Sequence, residues 1–203
     1  YGGFLPIYEK ENALDYFDTY DQICIIDADI WVRPEAPNIF NELDTENGTI
    51  EFAGVIERMA PILPWYKSKL AGYTRMQYSK LTNVDWKWNQ DGALFYNMGL
   101  MLMDKKITKY LNGQTGKQFI QRPEFKDFVD GQGAWKWSTD QTLLNYWVKK
   151  ENMIQKHLDW KWNALYTAIP NDKIKEAHFV HFFLKDKLPN KGENVSVLME
   201  DVS

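Results

Sequence analysis

The feature that most constrains the fold is a short apolar run that ends in two acidic residues. Residues 22–26 read Q-I-C-I-I, and D-A-D follows at 27–29. An apolar, β-branched run without polar alternation favours a strand that is buried on both faces, as in a parallel sheet flanked by helices. Asp27 and Asp29 then stand at the carboxyl end of that strand, where open α/β sheets bind their ligands.

Helical and strand patterns alternate along the rest of the chain, which predicts an α/β sandwich. We expect one domain over residues 1–188 and a polar, loose tail over 189–203. Either Ser138 or Thr139 can cap the last predicted helix. The further strands are predicted at 50–56, 93–103 and 177–184, and the helices at 12–20, 34–43, 105–111, 123–129 and 138–151.

Composition argues against several classes of function. The 203 residues carry a net charge of −4, and a mildly acidic chain has no strong reason to bind a polyanion, so we do not expect nucleic acid as a partner. No apolar stretch approaches the roughly 18 residues of a transmembrane helix, and no signal peptide is visible. The chain begins at Tyr1 rather than at a methionine, so further sequence can precede it. Cys24 is the only cysteine, and a chain without an internal disulfide fits a reducing, cytoplasmic compartment.

The spacing of the two aspartates suggests a cation site. Residues i and i+2 of a strand point to the same side, so we expect both carboxylates to face one site. Such a pair repels unless a cation joins it, and hard divalent cations prefer oxygen ligands. The pair alone is equally consistent with a polar turn at the end of a strand. Haloacid dehalogenase-like phosphatases share the pattern, but Trp31 occupies the position where they have Thr or Val.

Four segments together resemble the retaining glycosyltransferases of family 8, the glycogenin-like and lipopolysaccharide galactosyltransferase-like enzymes. In chain order they are Y-D-Q-I-C-I-I-D-A-D-I-W-V, F-Y-N-M-G-L-M-L-M-D, S-T-D-Q-T-L-L-N and H-F-F-L-K-D-K. The resemblance spans most of the chain. It implies a GT-A-like, Rossmann-like three-layer sandwich with a mixed, mainly parallel sheet.

Two departures from the family pattern stand out. Leu184 occupies the position of a family glycine in the last segment. In addition, only 26 residues precede Asp27, fewer than the roughly 30 of one βαβ unit. We therefore expect the family's N-terminal nucleoside-binding unit to be missing from this chain.

The resemblance also implies residue roles. The metal ligands would be Asp27, Asp29 and His181, whereas His178, three residues earlier on the same strand, would face the other side. Asp140, Gln141 and Asn97 would be the catalytic residues. The donor sugar and its phosphates would contact Asp27, Ala28, Gly99 and Lys187, and the acceptor sugar would contact Trp162 and Asn163.

The implied reaction moves a hexose from a nucleotide-diphosphate sugar, expected to be a UDP-sugar, to a glycan, a lipid-linked glycan or another hydroxyl acceptor with retention. The expected cofactor is Mn²⁺, or else Mg²⁺, because a histidine ligand suits Mn²⁺ better. The alternative is a non-catalytic carbohydrate-binding or scaffold remnant of the same fold.

Overall fold

The structure is a computed structural model that describes residues 6–44, 48, 50–131, 135 and 139–202. Within these ranges, no helix is long and apolar enough to cross a membrane. The strands are β1 (Gln22–Ile26), β2 (Ile30–Val32), β3 (Phe52–Ile56), β4 (Tyr96–Asp104), β5 (Gln155–Leu158), β6 (Ala164–Leu165) and β7 (Phe179–His181). The α-helices are α1 (Pro64–Tyr78), α2 (Gly116–Ile120), α3 (Lys126–Asp130), α4 (Asp140–Lys150), α5 (Asn171–Ile174) and α6 (Val195–Val202).

The strands form two sheets. The larger has the order β1-β4-β3-β5 and the smaller has the order β2-β7-β6. The β1/β4, β3/β4 and β2/β7 pairs are antiparallel, and the β3/β5 and β6/β7 pairs are parallel. The predicted α/β fold with mixed sheets is therefore confirmed. The expectation of a mainly parallel sheet is wrong for the described strands, because antiparallel pairs predominate.

Core side chains cover both faces of the larger sheet. Along β4, Met101 and Met103 pack into a large aromatic-rich cluster that includes residues of α1 and α4. Leu100 and Leu102 point the other way, into a smaller cluster that includes Trp162. This alternation follows from the two-residue period of a strand. It explains why β4 is apolar at each position from Leu100 to Met103.

Predicted elements with a clear sequence pattern, such as the capped helix α4, are present, whereas an element predicted from a weaker pattern is not. Thr139 caps α4 by accepting a hydrogen bond from the backbone N–H of Gln141, and Ser138, the other predicted cap, lies outside the described residues. The helix predicted at 34–43 is reduced to a 3-10 turn, Ile39–Glu42. Strand β1 is half-buried rather than buried on both faces, because β4 is its only partner among the described strands.

The segment predicted to be a loose tail contains an ordered helix. In α6, Leu198 and Val202 are buried, and the guanidinium of Arg33 donates to the backbone carbonyl of Val202 over 2.8 Å. The sequence pattern missed this helix because its apolar residues lie within a polar stretch. The expectation of looseness is wrong for residues 195–202, and the boundary at residue 188 stays a prediction.

A 3-10 helix, Pro6–Asp18, carries a buried carboxyl group. Glu11 is 2% exposed, and neither of its carboxyl oxygens has a hydrogen-bond partner among the described residues. Burial, reinforced by the nearby charge of Asp140, raises the pKa of Glu11 well above its usual value. The folded protein therefore keeps a proton on Glu11 at pH values where the unfolded chain has lost it.

Glu11→Gln is expected to stabilise the protein at neutral pH. Because the folded-state pKa is raised, the stability of the parent protein falls as pH rises above about 4.5 towards that pKa. The variant loses this dependence, and a gain of about 1 kcal/mol or more is expected at pH 7, because Glu11 of the parent protein must take up a proton on folding, which costs about 1.4 kcal/mol for each pH unit above its unfolded-state pKa. Urea unfolding at pH 4 and pH 7 measures the difference. A gain of equal size at both pH values would contradict this account of Glu11.

Candidate functional site

The two aspartates lie on a turn that joins the two sheets. The backbone N–H of Asp27 donates to the carbonyl of Gly99 on β4 over 2.8 Å, and the carbonyl of Asp29 accepts from the N–H of Phe182 beyond β7 over 2.9 Å. The Ile30 N–H closes the turn on the Asp27 carbonyl over 3.1 Å. The carboxylates thus converge because of a turn, not because of the strand alternation that we expected.

The pairing of β2 with β7 brings His181 to this turn. In that register Ile30 lies opposite His181. The His181 Nε2 atom lies 3.2 Å from Oδ1 of Asp29 and 3.8 Å from Oδ2 of Asp27. One ligand atom from each of the three residues lies within 4.8 Å of the others, so together they could hold a metal ion. The hydrogen bond from His181 is the main reason that the pKa of Asp29 is lowered.

A chain of hydrogen bonds fixes the tautomer of His181. The Gly99 N–H donates to Oδ1 of Asn97 over 3.0 Å, and the Asn163 side-chain amide donates to the same oxygen over 2.9 Å. Oδ1 of Asn163 is then an acceptor, and it lies 3.0 Å from Nδ1 of His181. Nδ1 must therefore carry a proton. Nε2 is then the ring nitrogen that faces the two carboxylates and that a bound cation would contact.

Glycine at position 99 makes room for the imidazole. A Cβ atom at this position would lie 2.4 Å from Cε1 and 2.7 Å from Nδ1 of His181. The resemblance implied a contact between Gly99 and the donor sugar, whereas the ring that a Cβ atom at this position would meet is that of His181. The strand pairing shifts register along this part of β4, and this irregular stretch forms one wall of the histidine pocket.

Lys10 links the metal-ligand candidates to the start of α4. Its ammonium lies 2.6 Å from Oδ1 of Asp27 and 2.7 Å from Oδ2 of Asp140, and it donates to the carbonyl of Met98 over 3.0 Å. Burial alone would lower the pKa of Lys10, but the charges of Asp140 and Asp27 outweigh it and raise the pKa. Burial raises the pKa of Asp140, and Lys10 opposes that effect.

These groups line a cleft of about 440 Å³, a size that fits a small ligand. Glu57 contributes a fully buried carboxyl group, which accepts hydrogen bonds from Tyr66 and from the amide of Asn97. Burial raises the pKa of Glu57. Sequence reasoning missed Lys10 and Glu57. The position of Glu57 directly after β3, like that of Asp27 after β1, was a usable signal, whereas nothing in the sequence singled out Lys10.

The structure brings most of the predicted residues to this cleft. Asp27, Asp29, His181, Asn97, Gly99, Asp140 and Gln141 all line it. The Gln141 side chain is held in place because its oxygen accepts from the N–H of Met98 over 3.1 Å. Asn163 supports His181 from behind rather than facing the cleft, and Ala28 lines a separate cavity beside α6.

Two predicted contacts lie elsewhere. Trp162 is 3% exposed and packs between His178 and Phe179, so its ring is not available to stack on a sugar. This placement also puts His178 away from the metal-ligand candidates, as predicted. The Lys187 ammonium lies 5.6 Å from the ring centroid of Trp65, and Lys187 does not line the cleft.

Leu184 adopts the backbone conformation that a glycine takes without strain. Its φ is 60° and its ψ is 64°, a left-handed conformation that is unfavourable for a residue with a side chain by roughly 1–2 kcal/mol. The backbone at Leu184 therefore has the left-handed conformation that a glycine at this position would adopt without strain. The leucine side chain lines the cleft next to Phe183.

Comparisons with known proteins agree on the fold. The galactosyltransferase LgtC, solved in complex with donor and acceptor sugar analogues, is 18% identical over 99% of this chain and 70% of its own chain, with a TM-score of 0.52. An active-site mutant of LgtC is 16% identical over 98% of this chain and 70% of its own chain, with a TM-score of 0.51. The bifunctional glycosyltransferase WbbM gives 14% identity over 97% of this chain and 35% of its own, with a TM-score of 0.51.

No protein-family model and no curated protein matches the sequence. The structural likenesses show that the chain has the GT-A-like fold of these glycosyltransferases. Because the sequence identity is so low, these likenesses show the fold and do not show the activity.

Proposed function

We propose that the chain is the metal- and sugar-binding part of a glycosyltransferase of the family-8 type. It would move a hexose from a UDP-sugar to a hydroxyl of a glycan or lipid-linked glycan, with retention. The observation that carries the proposal is the cluster of Asp27, Asp29 and His181, whose ligand atoms lie within 4.8 Å of one another at one end of a sugar-sized cleft. The shared fold with LgtC supports it.

The donor set fits a divalent cation. Two carboxylates and one neutral imidazole nitrogen suit Mn²⁺ better than Mg²⁺, which favours oxygen ligands only. The hydrogen bond from Nδ1 of His181 to Asn163 orients the ring, as such outer contacts do in metal sites. A cation held by Asp27, Asp29 and His181 would supply Lewis-acid stabilisation of the diphosphate leaving group.

The other cleft residues would position the donor sugar and balance charge. The Lys10 ammonium contacts both the Asp27 and the Asp140 carboxylates and balances negative charge between them. Gln141, fixed by Met98, presents its amide group to the cleft. We propose that Lys187 turns from Trp65 to the donor phosphates, because a lysine ammonium can neutralise phosphate as a point charge.

Retention of configuration at the anomeric carbon can arise in two ways. Either a carboxylate first attacks that carbon as a nucleophile, or the acceptor attacks it from the same face from which the leaving group departs. Asp140 is our candidate for the nucleophile, since it lies at the start of α4 and faces the cleft. Its ion pair with Lys10 weakens it as a nucleophile. Front-face attack is therefore the second route, and trapping of a glycosylated Asp140 distinguishes the two.

The proposal is tested by incubation with UDP-glucose and UDP-galactose, with and without Mn²⁺. We expect Mn²⁺-dependent release of UDP, because the cleft residues alone do not neutralise a diphosphate. Equal release after removal of the metal would contradict the proposed chemistry.

A carbohydrate-binding module without turnover is the second candidate, and the occupation of the site by the Lys10 ammonium favours it. Thermal unfolding separates the two. A ligand at a hundredfold its dissociation constant adds about 2.7 kcal/mol of stability. Stabilisation by Mn²⁺ with UDP supports the transferase, whereas stabilisation by glycans alone supports the module.

A further inference from the structure

One exposed aromatic side chain stands beside the cleft without a role in the chemistry described above. Trp65 lies in the first turn of α1 and is 41% exposed. Residues four apart share a helix face, so Trp65 lies on the same face of α1 as Lys69 and Tyr73. Lys69 and Tyr73 both line the cleft. The face of α1 that forms the cleft wall therefore continues outwards to Trp65.

Aromatic contacts connect Trp65 to the metal-ligand candidate His181. The ring centroids of His181 and Phe183 are 5.5 Å apart, those of Phe183 and Tyr66 are 5.6 Å apart, and those of Tyr66 and Trp65 are 5.4 Å apart. Phe183 and Tyr66 line the cleft. Trp65 thus stands at the outer end of a continuous aromatic wall whose inner end is at the candidate metal site.

Cations accompany the exposed indole. The Lys187 ammonium lies 5.6 Å from its ring centroid, and Lys69 projects from the same helix face one turn further on. Because Lys187 is proposed to turn to the donor phosphates, the indole face becomes free, and Lys69 remains nearby as a flexible hydrogen-bond donor. An aromatic face with such a donor at its edge suits a pyranose ring, whose C–H groups pack on the aromatic ring while its hydroxyls meet the polar group. Trp65 is better exposed for this purpose than the buried Trp162.

We infer that Trp65 is the stacking platform for the acceptor sugar. The inference rests on the proposed function, because the inner end of the cleft is assigned there to the donor. A sugar that stacks on Trp65 would direct one hydroxyl along the aromatic wall towards the donor at His181. The chemical class of the ligand is a neutral pyranoside with one apolar ring face, at the end of a glycan.

The inference is tested with Trp65→Ala, Trp65→Phe and the matched control Trp88→Ala. Trp88 is 44% exposed and does not line the cleft. The full chain, with Mn²⁺ and UDP, is applied to an array of defined mono- and oligosaccharides. We expect the parent protein and Trp88→Ala to bind the same glycans, Trp65→Ala to bind them about tenfold more weakly, and Trp65→Phe to recover part of the loss.

The outcome separates this inference from the proposed function. Hydrolysis of UDP-sugar in water is expected to be equal in the parent protein and in the control Trp88→Ala, since Trp88 lies outside the cleft. Absence of hydrolysis in the parent protein would refute the proposed transferase activity. The comparison of glycan binding by the parent protein and Trp65→Ala would still test the stacking role. Absence of any bound glycan, or equal binding by Trp65→Ala at an unchanged Tm, would overturn the stacking role.

Discussion

Replacement of Asp29 by alanine is expected to lower the affinity for Mn²⁺ by at least about 100-fold and to remove Mn²⁺-dependent UDP release. Loss of a group that merely supports a ligand already weakens metal binding about 10- to 100-fold, and Asp29 is a proposed ligand. The Asp29 side chain is 50% exposed, so the variant is expected to fold. Calorimetric titration with Mn²⁺ in the presence of UDP measures the effect.

A control for this experiment is Asp85→Ala. Asp85 is an exposed carboxylate that pairs with Lys87 away from the cleft, so its removal changes the net charge by the same amount without touching the site. We expect this variant to bind Mn²⁺ like the parent protein. If both variants lost affinity equally, the effect would be one of general charge and not of coordination by Asp29.

Replacement of Gly99 by alanine is expected to disable the site without removing any polar group. The new methyl carbon would lie 2.4 Å from Cε1 of His181 and 2.9 Å from Oδ1 of Asn97, and contacts this close force the imidazole to move. Overpacking of a filled interior costs about 1–3 kcal/mol of stability. We expect Mn²⁺ affinity to fall by about 100-fold, because displacement of the ring disturbs a ligand and its supporting hydrogen bond together.

Gly72→Ala is the matched control for this substitution. Gly72 lies within α1, and a Cβ atom there would have no neighbour within 4 Å. Alanine in place of glycine within a helix is expected to stabilise the protein by about 0.5–1 kcal/mol and to leave Mn²⁺ affinity unchanged. Urea unfolding and metal titration of both variants check these expectations. Normal Mn²⁺ binding by Gly99→Ala would contradict the account of the histidine pocket.

Local patterns were sufficient to predict the elements that carry the site. The apolar run of β4 and the capped start of α4 each reflect physics within one segment, and both are present. The run at β1 also forms a strand, but its burial was misjudged because burial depends on neighbouring strands. The helix predicted at 34–43 does not form, and within this segment Ile39–Glu42 folds as a short 3-10 turn instead.

Long-range contacts account for what the sequence could not predict. Lys10 reaches Asp27 and Asp140 only because the 3-10 helix packs against β1 and α4. Trp162 and Trp65 have the same side chain, yet one is buried and the other is exposed, a difference that no local pattern encodes. The roles that the resemblance assigns to the site residues remain predictions, and the structure places Ala28 and Lys187 outside the lining of the cleft.

The most direct test of the central claim is the detection of histidine nitrogen bonded to Mn²⁺. Electron spin echo envelope modulation of the Mn²⁺–UDP complex reports imidazole nitrogen in the coordination shell. We expect the nitrogen signal in the parent protein and in His178→Gln, and we expect its loss in His181→Gln. A signal that persists in His181→Gln, or a parent complex with oxygen ligands only, would contradict coordination by Asp27, Asp29 and His181.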